Sequence, residues 1–238
     1  MLGTIVNTAA ILAGGALGLL FKKQLNPNLQ ESLHKVLGLA VFIMGLNGII
    51  GSTFTTANGK ISSNGELLLV VSLVVGTWVG ESLQIEDRLG RLSQTVEQKL
   101  RLSGFASGFV AGSILYCVGA MAIVGALNDG LKGDGSILFV KSILDGVSAV
   151  ILSSTLGIGV PFSAISVFLY QGAISLFSGF IGPVLTDAML DQICMVGYAI
   201  VMCIGVNFWG ITKIRTANML PAMLIPVLYD LLRSVLPF

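Results

Sequence analysis

The sequence predicts an all-α, polytopic membrane protein, and three observations support this fold class. Only 11% of the 238 residues are charged, whereas about a quarter of the residues of an ordinary soluble domain are charged. Hydrophobic residues make up 54% of the chain, and its 30 glycines suit transmembrane helices, in which glycine lets backbones approach closely. The apolar runs are long and unbroken, which favours spanning helices over the short alternating strands of a barrel.

Eight apolar segments approach the length of about 20 residues that a helix needs to cross a bilayer. The eighth is the least regular, because Pro221, Pro226 and Asp230 interrupt it, and a re-entrant helix is the alternative to a full span. The predicted spans are Gly3 to Phe21, Lys35 to Gly51, Glu66 to Ser82, Gly104 to Leu127, Ile137 to Gly157, Pro161 to Phe180, Gln192 to Ile211 and Ala217 to Leu236.

The distribution of lysine and arginine predicts the orientation of the spans, because these residues accumulate in cytoplasmic loops. The first segment has no basic residue before it and is followed by Lys22 and Lys23, so we expect a retained helix rather than a signal peptide. With the N-terminus outside, nine of the 13 basic residues lie on the inner side, and the outer side holds Lys60, Lys132, Lys141 and Arg233. We therefore expect the N-terminus outside.

Between the third and fourth spans, residues 83–102 form a predicted amphipathic helix. Its apolar residues recur at helical spacing opposite charged residues, and they are Ile85, Leu89, Leu92, Val96 and Leu100. This helix is expected at the inner membrane interface. It packs there either on the bundle or on a second subunit, or its basic residues contact anionic lipid headgroups.

The sequence also contains a weak internal repeat. GALGLLF at Gly15 is followed 23 residues later by Gly38, and GAISLFSGF at Gly172 is followed 25 residues later by Gly197. Matching spans of the two copies are offset by five, an odd number, so spans 1–3 and 6–8 are predicted to form an inverted repeat, as in many transporters. A single transmembrane domain would then contain a first three-helix unit, the amphipathic helix, a two-helix spacer and a second three-helix unit, at residues 1–82, 83–102, 103–158 and 159–238.

Glycines at four-residue spacing predict close helix crossings. The motifs are GFASGFVAG, from Gly104 to Gly112, together with GGALG and GTWVG. Small residues at this spacing pack helices either within a bundle or across a homodimer.

Lys141 and Asp145 are the most unusual residues of the chain, because they place opposite charges inside the apolar segment VKSILDGVSA. Residues four apart lie on the same face of a helix, so the ammonium and the carboxylate can meet. Ionisable residues within a span are costly and often mark an ion or substrate pathway. The alternative is a structural ion pair that specifies helix packing, or a Lys141 that extends towards the surface.

Polar residues elsewhere in the spans extend this group. Several asparagines stand beside glycines, where they either cap a helix or supply amide oxygens to a cation or polar solute. With the N-terminus outside, most of the group falls in the outer half of the membrane. The candidate binding residues are Asp145, Lys141, Asn7, Asn47, Asn128, Asp129, Asn207, Gln171, Glu81 and Asp230.

Other function classes have little support in the sequence. His34 is the only histidine, and no zinc-protease, nucleophilic-serine or phosphate-loop motif is present. An aspartyl pair of Asp145 and Asp230 is the weak enzymatic alternative. The three cysteines lack metal-site spacing, and no basic run suggests nucleic-acid binding. We expect no enzymatic activity, no cofactor and no nucleic-acid partner, and we leave the identity of any metal open.

Three motifs resemble a known family. GTIVNTAAILAGGALG, CVGAMAIVGALNDGL and VKSILDGVSAVILSSTLGIGVPFSA are similar to sequences of the YqgA-like bacterial inner-membrane proteins, and the resemblance covers nearly the whole chain. The family is of unknown function and is sometimes labelled as transport proteins. The resemblance implies a bacterial inner-membrane location, but it supplies no substrate and no site residues.

Together these features predict a transporter or channel for a small ion or a small polar solute. The ion is expected to be a monovalent cation, or its transport to be coupled to protons. Asp145 is the expected key carboxylate, with Lys141 as its counter-charge and the asparagines as neutral ligands. The alternative is a non-transporting scaffold or accessory protein, in which the polar groups specify only helix packing.

Overall fold

The computed structural model describes residues 1–22, 26–57, 60–100 and 105–235. Lys23, Gly104 and Leu236, which enter the predictions above, lie outside these residues. The helices in the described part are α1 (Leu2–Lys22), α2 (Pro27–Thr53), α3 (Glu66–Ser82), α4 (Ile85–Leu100), α5 (Phe105–Cys117), α6 (Ala120–Leu131), α7 (Ser136–Leu156), α8 (Gly159–Leu176), α9 (Ser178–Ile181), α10 (Asp187–Phe208), a 3-10 helix (Thr216–Leu224) and α11 (Ile225–Val235).

The all-α polytopic fold is confirmed. In the described part, five helices are long and apolar enough to cross a membrane, or up to seven if each bent helix pair forms one span. The five straight candidates match the first, second, fifth, sixth and seventh predicted spans. They are Leu2–Phe21, Glu31–Thr53, Ser136–Leu156, Gly159–Leu176 and Asp187–Phe208.

The remaining predicted spans are bent or divided. The third continues into the start of α4 with a bend of 47°, and the fourth is broken into α5 and α6 with a bend of 63°. Gly119, the residue just before α6, has φ at 117°, a backbone conformation that glycine adopts without steric cost. The eighth is divided into the 3-10 helix, which contains Pro221, and α11.

Two features lie between the spans. The predicted loop after α2 contains a short antiparallel pair of strands, β1 (Phe54–Ala57) and β2 (Lys60–Ser63), with Phe54 opposite Ser63. The predicted amphipathic segment forms α4, so its helical state agrees with its periodicity.

The chain divides into two compact units. The first unit is Met1–Leu37 with Leu89–Val184, and the second unit is Gly38–Arg88 with Leu185–Phe238.

In the first unit, α1 packs along α7 and α8 through glycines. A Cβ on Gly14 would collide with the carbonyl oxygen of Gly146, and a Cβ on Gly18 would collide with that of Val150. Gly3 meets Leu138 at the other end of the contact, so α1 and α7 run parallel. α8 runs antiparallel to α1, because Gly15 meets Pro161, whereas Gly172 lies beside Met1.

The bent α5 and α6 pack against the other side of α8. Gly108 lies beside Val160, and Gly112 lies beside Ser163, so α5 runs parallel to α8. Beyond the bend, the Ser175 hydroxyl donates to the carbonyl oxygen of Ala126 at 2.8 Å, which joins α6 to the last turn of α8.

The second unit uses the same kind of contact. Gly38 of α2 packs against Gly205 of α10, and Gly45 packs against Met202. On α3, a Cβ at Gly76 would collide with Ala222, and one at Gly80 would collide with the carbonyl oxygen of Asn218. The described glycines of the three predicted motifs therefore lie at helix contacts within each unit.

Candidate functional site

Lys141 and Asp145 form a buried ion pair on α7. The ammonium donates to Oδ1 of Asp145 at 2.8 Å and to Oδ2 at 2.6 Å. The two side chains are only 8% and 9% exposed. The predicted contact across one helical turn is therefore present, and it is shielded from the surroundings of the protein.

Two amides from neighbouring helices complete the cluster. Nδ2 of Asn7, on α1, donates to Oδ2 of Asp145 at 3.1 Å and to Oε1 of Gln171, on α8, at 3.3 Å. Asn7 and Gln171 are fully buried. We refer to Asn7, Lys141, Asp145 and Gln171 as the polar cluster. It joins three helices that meet within the first unit.

Close packing of α1 on α7 explains why these side chains meet. The glycines of α1 bring its backbone against α7, so the short Asn7 side chain reaches Asp145 without an intervening apolar layer. Asn7 and Asp145 lie roughly 8 Å and 13 Å from the starts of their parallel helices, at 1.5 Å per residue. Gln171 lies a similar distance from the end of the antiparallel α8.

Several polar atoms in and around the polar cluster have no hydrogen-bond partner in the described part. These atoms are Oδ1 of Asn7, Nε2 of Gln171 and the hydroxyl of Tyr116. Leaving a buried donor or acceptor unpaired costs about 1–3 kcal/mol. Asn7 therefore offers a free acceptor, and Gln171 offers a free donor. With the nearby Tyr116 hydroxyl, these atoms could form hydrogen bonds to a small polar species.

The bend between α5 and α6 lies next to the polar cluster. Tyr116 and Cys117 end α5, and both lie within electrostatic reach of Asp145. The Tyr116 hydroxyl lies beside Ser148 of α7 but forms no well-aligned hydrogen bond. Backbone groups at helix ends lack partners within their own helix, so the bend places such groups beside a buried carboxylate.

Asp129, on α6, contacts the start of α1. The contact at Thr4 lies about one helical turn before Asn7. Oδ1 of Asp129 accepts from the Met1 ammonium at 3.0 Å, and its Oδ2 accepts from the Thr4 N–H at 3.3 Å. A carboxylate at this position compensates the positive end of the helix dipole. The Asn128 carbonyl oxygen accepts the Lys132 N–H at 2.9 Å, so the backbone of this candidate closes the end of α6.

The other four candidates belong to the second unit. Glu81 accepts from Arg215 at 3.1 Å, and both side chains are nearly half exposed. The Asn207 side chain exchanges two hydrogen bonds with the backbone of Ile214, at 2.8 Å and 2.7 Å, and so holds the loop after α10. Asn47 is exposed on α2, and Asp230 is half-buried on α11.

Sequence reasoning missed Tyr116, Ser148 and the bend at Gly119. The apolar run predicts one continuous span here, and a tyrosine within such a run is ordinary and gives no signal of its own. The available signal was the sequence CVG in the middle of the span, where glycine permits a break.

The described residues hold no group of three or more His, Cys, Asp and Glu side chains that could bind a metal ion. Cys194 is buried, whereas Cys117 and Cys203 are half-buried, and all three are free thiols. The polar cluster thus offers one carboxylate, two amides and an ammonium.

The sequence matches a family model described as "Protein of unknown function (DUF554)" over residues 2–231. It is 32% identical over 226 residues to "Uncharacterized membrane protein YdfK" of Bacillus subtilis (strain 168). The matched region covers 95% of this chain and 94% of the relative. It is 28% identical over 232 residues to "Uncharacterized protein YqgA" of Escherichia coli (strain K12), which covers 94% of each chain. No solved structure matches. The predicted resemblance to YqgA-like proteins is confirmed.

Proposed function

The chain belongs to the DUF554 family of proteins of unknown function, and from this premise we propose that it is a membrane transporter or channel for a small ion or small polar solute. The polar cluster is its binding site. The observation that carries the proposal is the buried Lys141–Asp145 pair, hydrogen-bonded to Asn7 and connected through it to Gln171.

The cost of burying these groups supports a functional role. Ionisable residues within membrane spans are rare, and they usually lie on ion or substrate pathways. A buried ion pair is also a weak source of stability, because desolvation offsets much of the attraction between the charges. Function is therefore the better explanation for a pair surrounded by incompletely bonded amides.

The bent helix beside the cluster supports the same conclusion. Many transporters bind their substrates where a spanning helix is interrupted, because the break exposes backbone donors and acceptors inside the membrane. Here the break between α5 and α6 follows Tyr116 and Cys117, which lie within electrostatic reach of Asp145.

In this proposal Asp145 is the exchangeable group of the site. An arriving solute displaces Asn7 or Lys141 from the carboxylate, while Oδ1 of Asn7 and Nε2 of Gln171 supply a further acceptor and donor. Lys141 keeps the empty site electrically neutral. Its ammonium regains Asp145 when the solute leaves.

The location and assembly are part of the same proposal. A bacterial inner membrane with the N-terminus outside is supported by the resemblance to inner-membrane proteins and by the distribution of Lys and Arg. A homodimer through glycine-rich helix faces stays a prediction, because the described glycines of the three motifs lie at contacts within each unit.

A flux screen tests the proposal. The full-length protein is reconstituted into liposomes, and fluxes of Na⁺, K⁺ and protons and uptake of small neutral and zwitterionic solutes are measured. We expect at least one flux above that of empty liposomes, and we expect Asp145→Asn to abolish it. Asp134→Asn is the matched control, because Asp134 is exposed in the loop before α7.

The scaffold alternative gives a different result. If wild-type liposomes pass none of the probes, the transport proposal fails. If Asp145→Asn transports at the wild-type rate, the ion pair is structural, and the site proposed for transport is wrong.

A further inference from the structure

We propose that the ion handled by Asp145 is a proton, and that the hydroxyls of Tyr116, Ser148, Ser113 and Ser166 relay it from the polar cluster towards the opposite end of the first unit. This inference rests on the proposed transport function. It names the transported or coupling ion and assigns a path that begins at the same carboxylate.

The bonding of Asp145 favours a proton over a metal cation. Both oxygens of Asp145 accept hydrogen bonds from Lys141, and Oδ2 also accepts one from Asn7. A metal cation needs several oxygen ligands, whereas both oxygens of Asp145 are already engaged by Lys141 and Asn7. A proton needs no coordination shell, and it binds the Asp145 carboxylate when the Lys141 ammonium moves away from it.

Tyr116 is placed to exchange a proton with this site. The residue is 1% exposed, its hydroxyl has no hydrogen-bond partner in the described part, and it lies beside Ser148 within electrostatic reach of Asp145. A buried hydroxyl without a partner is costly in a membrane, where no water compensates it. The position of the hydroxyl beside Ser148 and near Asp145 therefore suits it to pass a proton.

The hydroxyls continue away from the polar cluster in one direction. Ser148 lies three residues after Asp145 on α7, and its hydroxyl donates to the Asp145 carbonyl oxygen at 3.0 Å. Ser113 lies three residues before Tyr116 on α5, and the Ser113 hydroxyl donates to that of Ser166 on α8 at 2.9 Å. Residues three apart are neighbours on a helix surface. Ser148 therefore lies about one turn beyond Asp145, and Ser113 lies about one turn beyond Tyr116.

The direction of the helices makes this sequence of groups a path. α7 runs away from the α1 N-terminus, whereas α8 and α5 run towards that end. Ser148 is therefore farther from that end than Asp145, and Ser166 is farther than Gln171. The path extends the polar cluster towards the end at which α1 and α7 terminate.

The chemistry of the relay is a series of proton transfers. A hydroxyl both donates and accepts, so each oxygen receives one proton and releases its own to the next group. One O–H bond forms for each that breaks, and nothing is oxidised or reduced. The titratable groups that face Asp145 in the described part are Lys141 on its own helix and Tyr116 and Cys117 on α5. From α1 and α8, the amides of Asn7 and Gln171 belong to the polar cluster.

The test measures proton movement directly. Liposomes containing the full-length protein and an internal pH-sensitive dye receive an external pH step, with valinomycin and K⁺ clamping the voltage. We expect wild type to equilibrate faster than empty liposomes, and Tyr116→Phe to slow the initial rate by at least about tenfold, as loss of a positioned proton-transfer group does. Ser113→Ala combined with Ser166→Ala is expected to act in the same direction.

Two controls separate this inference from folding defects and from the proposed function. Tyr198→Phe removes one hydroxyl from the half-buried Tyr198 on α10 and should leave the rate unchanged. Thermal unfolding of Tyr116→Phe should resemble that of wild type, because the ring is retained. A Tyr116→Phe rate equal to wild type overturns the relay. If Na⁺, K⁺ or a solute crosses without proton movement, the proton assignment fails although the transport proposal stands. If nothing crosses, the proposed transport function fails as well as the proton assignment.

Discussion

The first unit buries the Lys141–Asp145 ion pair, whereas the described ion pairs of Arg215 in the second unit are exposed. Lys141 and Asp145 are less than one-tenth exposed and have amide neighbours. Arg215 binds Glu81 at 3.1 Å and Asp87 at 3.4 Å, and all three side chains are nearly half exposed. These carboxylates raise the pKa of Arg215 above its usual value, so it stays charged.

The difference follows from solvation. Water and salt weaken the attraction of Arg215 for Glu81 and Asp87. Water also solvates any of these side chains that loses its partner. No water replaces a lost partner of Asp145, so each member of the buried pair depends on the other. Similar charges therefore tie the loop before the 3-10 helix to α3 and α4 in one unit, and form a candidate binding site in the other.

Lys141→Met should have the largest effect on stability. It leaves Asp145 buried without its counter-charge, which costs about 3–5 kcal/mol when one member of a buried pair is removed. Thermal unfolding in detergent micelles, followed by circular dichroism, should show a much lower midpoint. Lys141→Met combined with Asp145→Leu should recover most of the loss, because no unpaired charge remains. A double variant no more stable than the single one would contradict this account of the pair.

Glycine substitutions should have intermediate effects, and similar ones in the two units. A Cβ at Gly14 would collide with the Gly146 carbonyl oxygen, and one at Gly80 would collide with that of Asn218. Both collisions are with backbone, so Gly14→Ala and Gly80→Ala should each destabilise by about 1–3 kcal/mol, as overpacking does. The control is Gly51→Ala, because nothing lies within 4 Å of that Cβ. If Gly14→Ala and Gly80→Ala unfold at the same midpoint as Gly51→Ala, the helices at Gly14 and Gly80 are packed less closely than described.

Arg215→Gln should have the smallest effect. It removes exposed ion pairs that salt already screens, so its unfolding midpoint should fall slightly below that of wild type at low ionic strength and match it at high ionic strength. Thermal unfolding over a salt series measures this. A large loss of stability that persists in high salt would mean that Arg215 acts through packing rather than through charge.

Composition and periodicity were sufficient for much of the fold. The scarcity of charge predicted the membrane class, the apolar runs predicted most of the spanning helices, and the stripe of Ile85 and Leu89 predicted α4. These signals are local, because a helix satisfies its backbone hydrogen bonds within its own segment. The predicted inverted repeat is also a sequence pattern, and it stays a prediction.

The pairing of Lys141 with Asp145 was equally predictable, since both residues lie on one helix four positions apart. Their depth and their other partners were not. Asn7 and Gln171 are separated from Asp145 by 138 and 26 residues along the chain, so no local spacing relates them.

The sequence by itself therefore determined the class of protein, the approximate helices and the central ion pair, because each depends on residues close together in the chain. The tertiary structure decided which of the ten candidates meet. Close packing through Gly14 and Gly18 brings Asn7 to Asp145, and the antiparallel course of α8 brings in Gln171. It also decided that Tyr116 faces the same carboxylate, because only a bent span ends α5 at that depth.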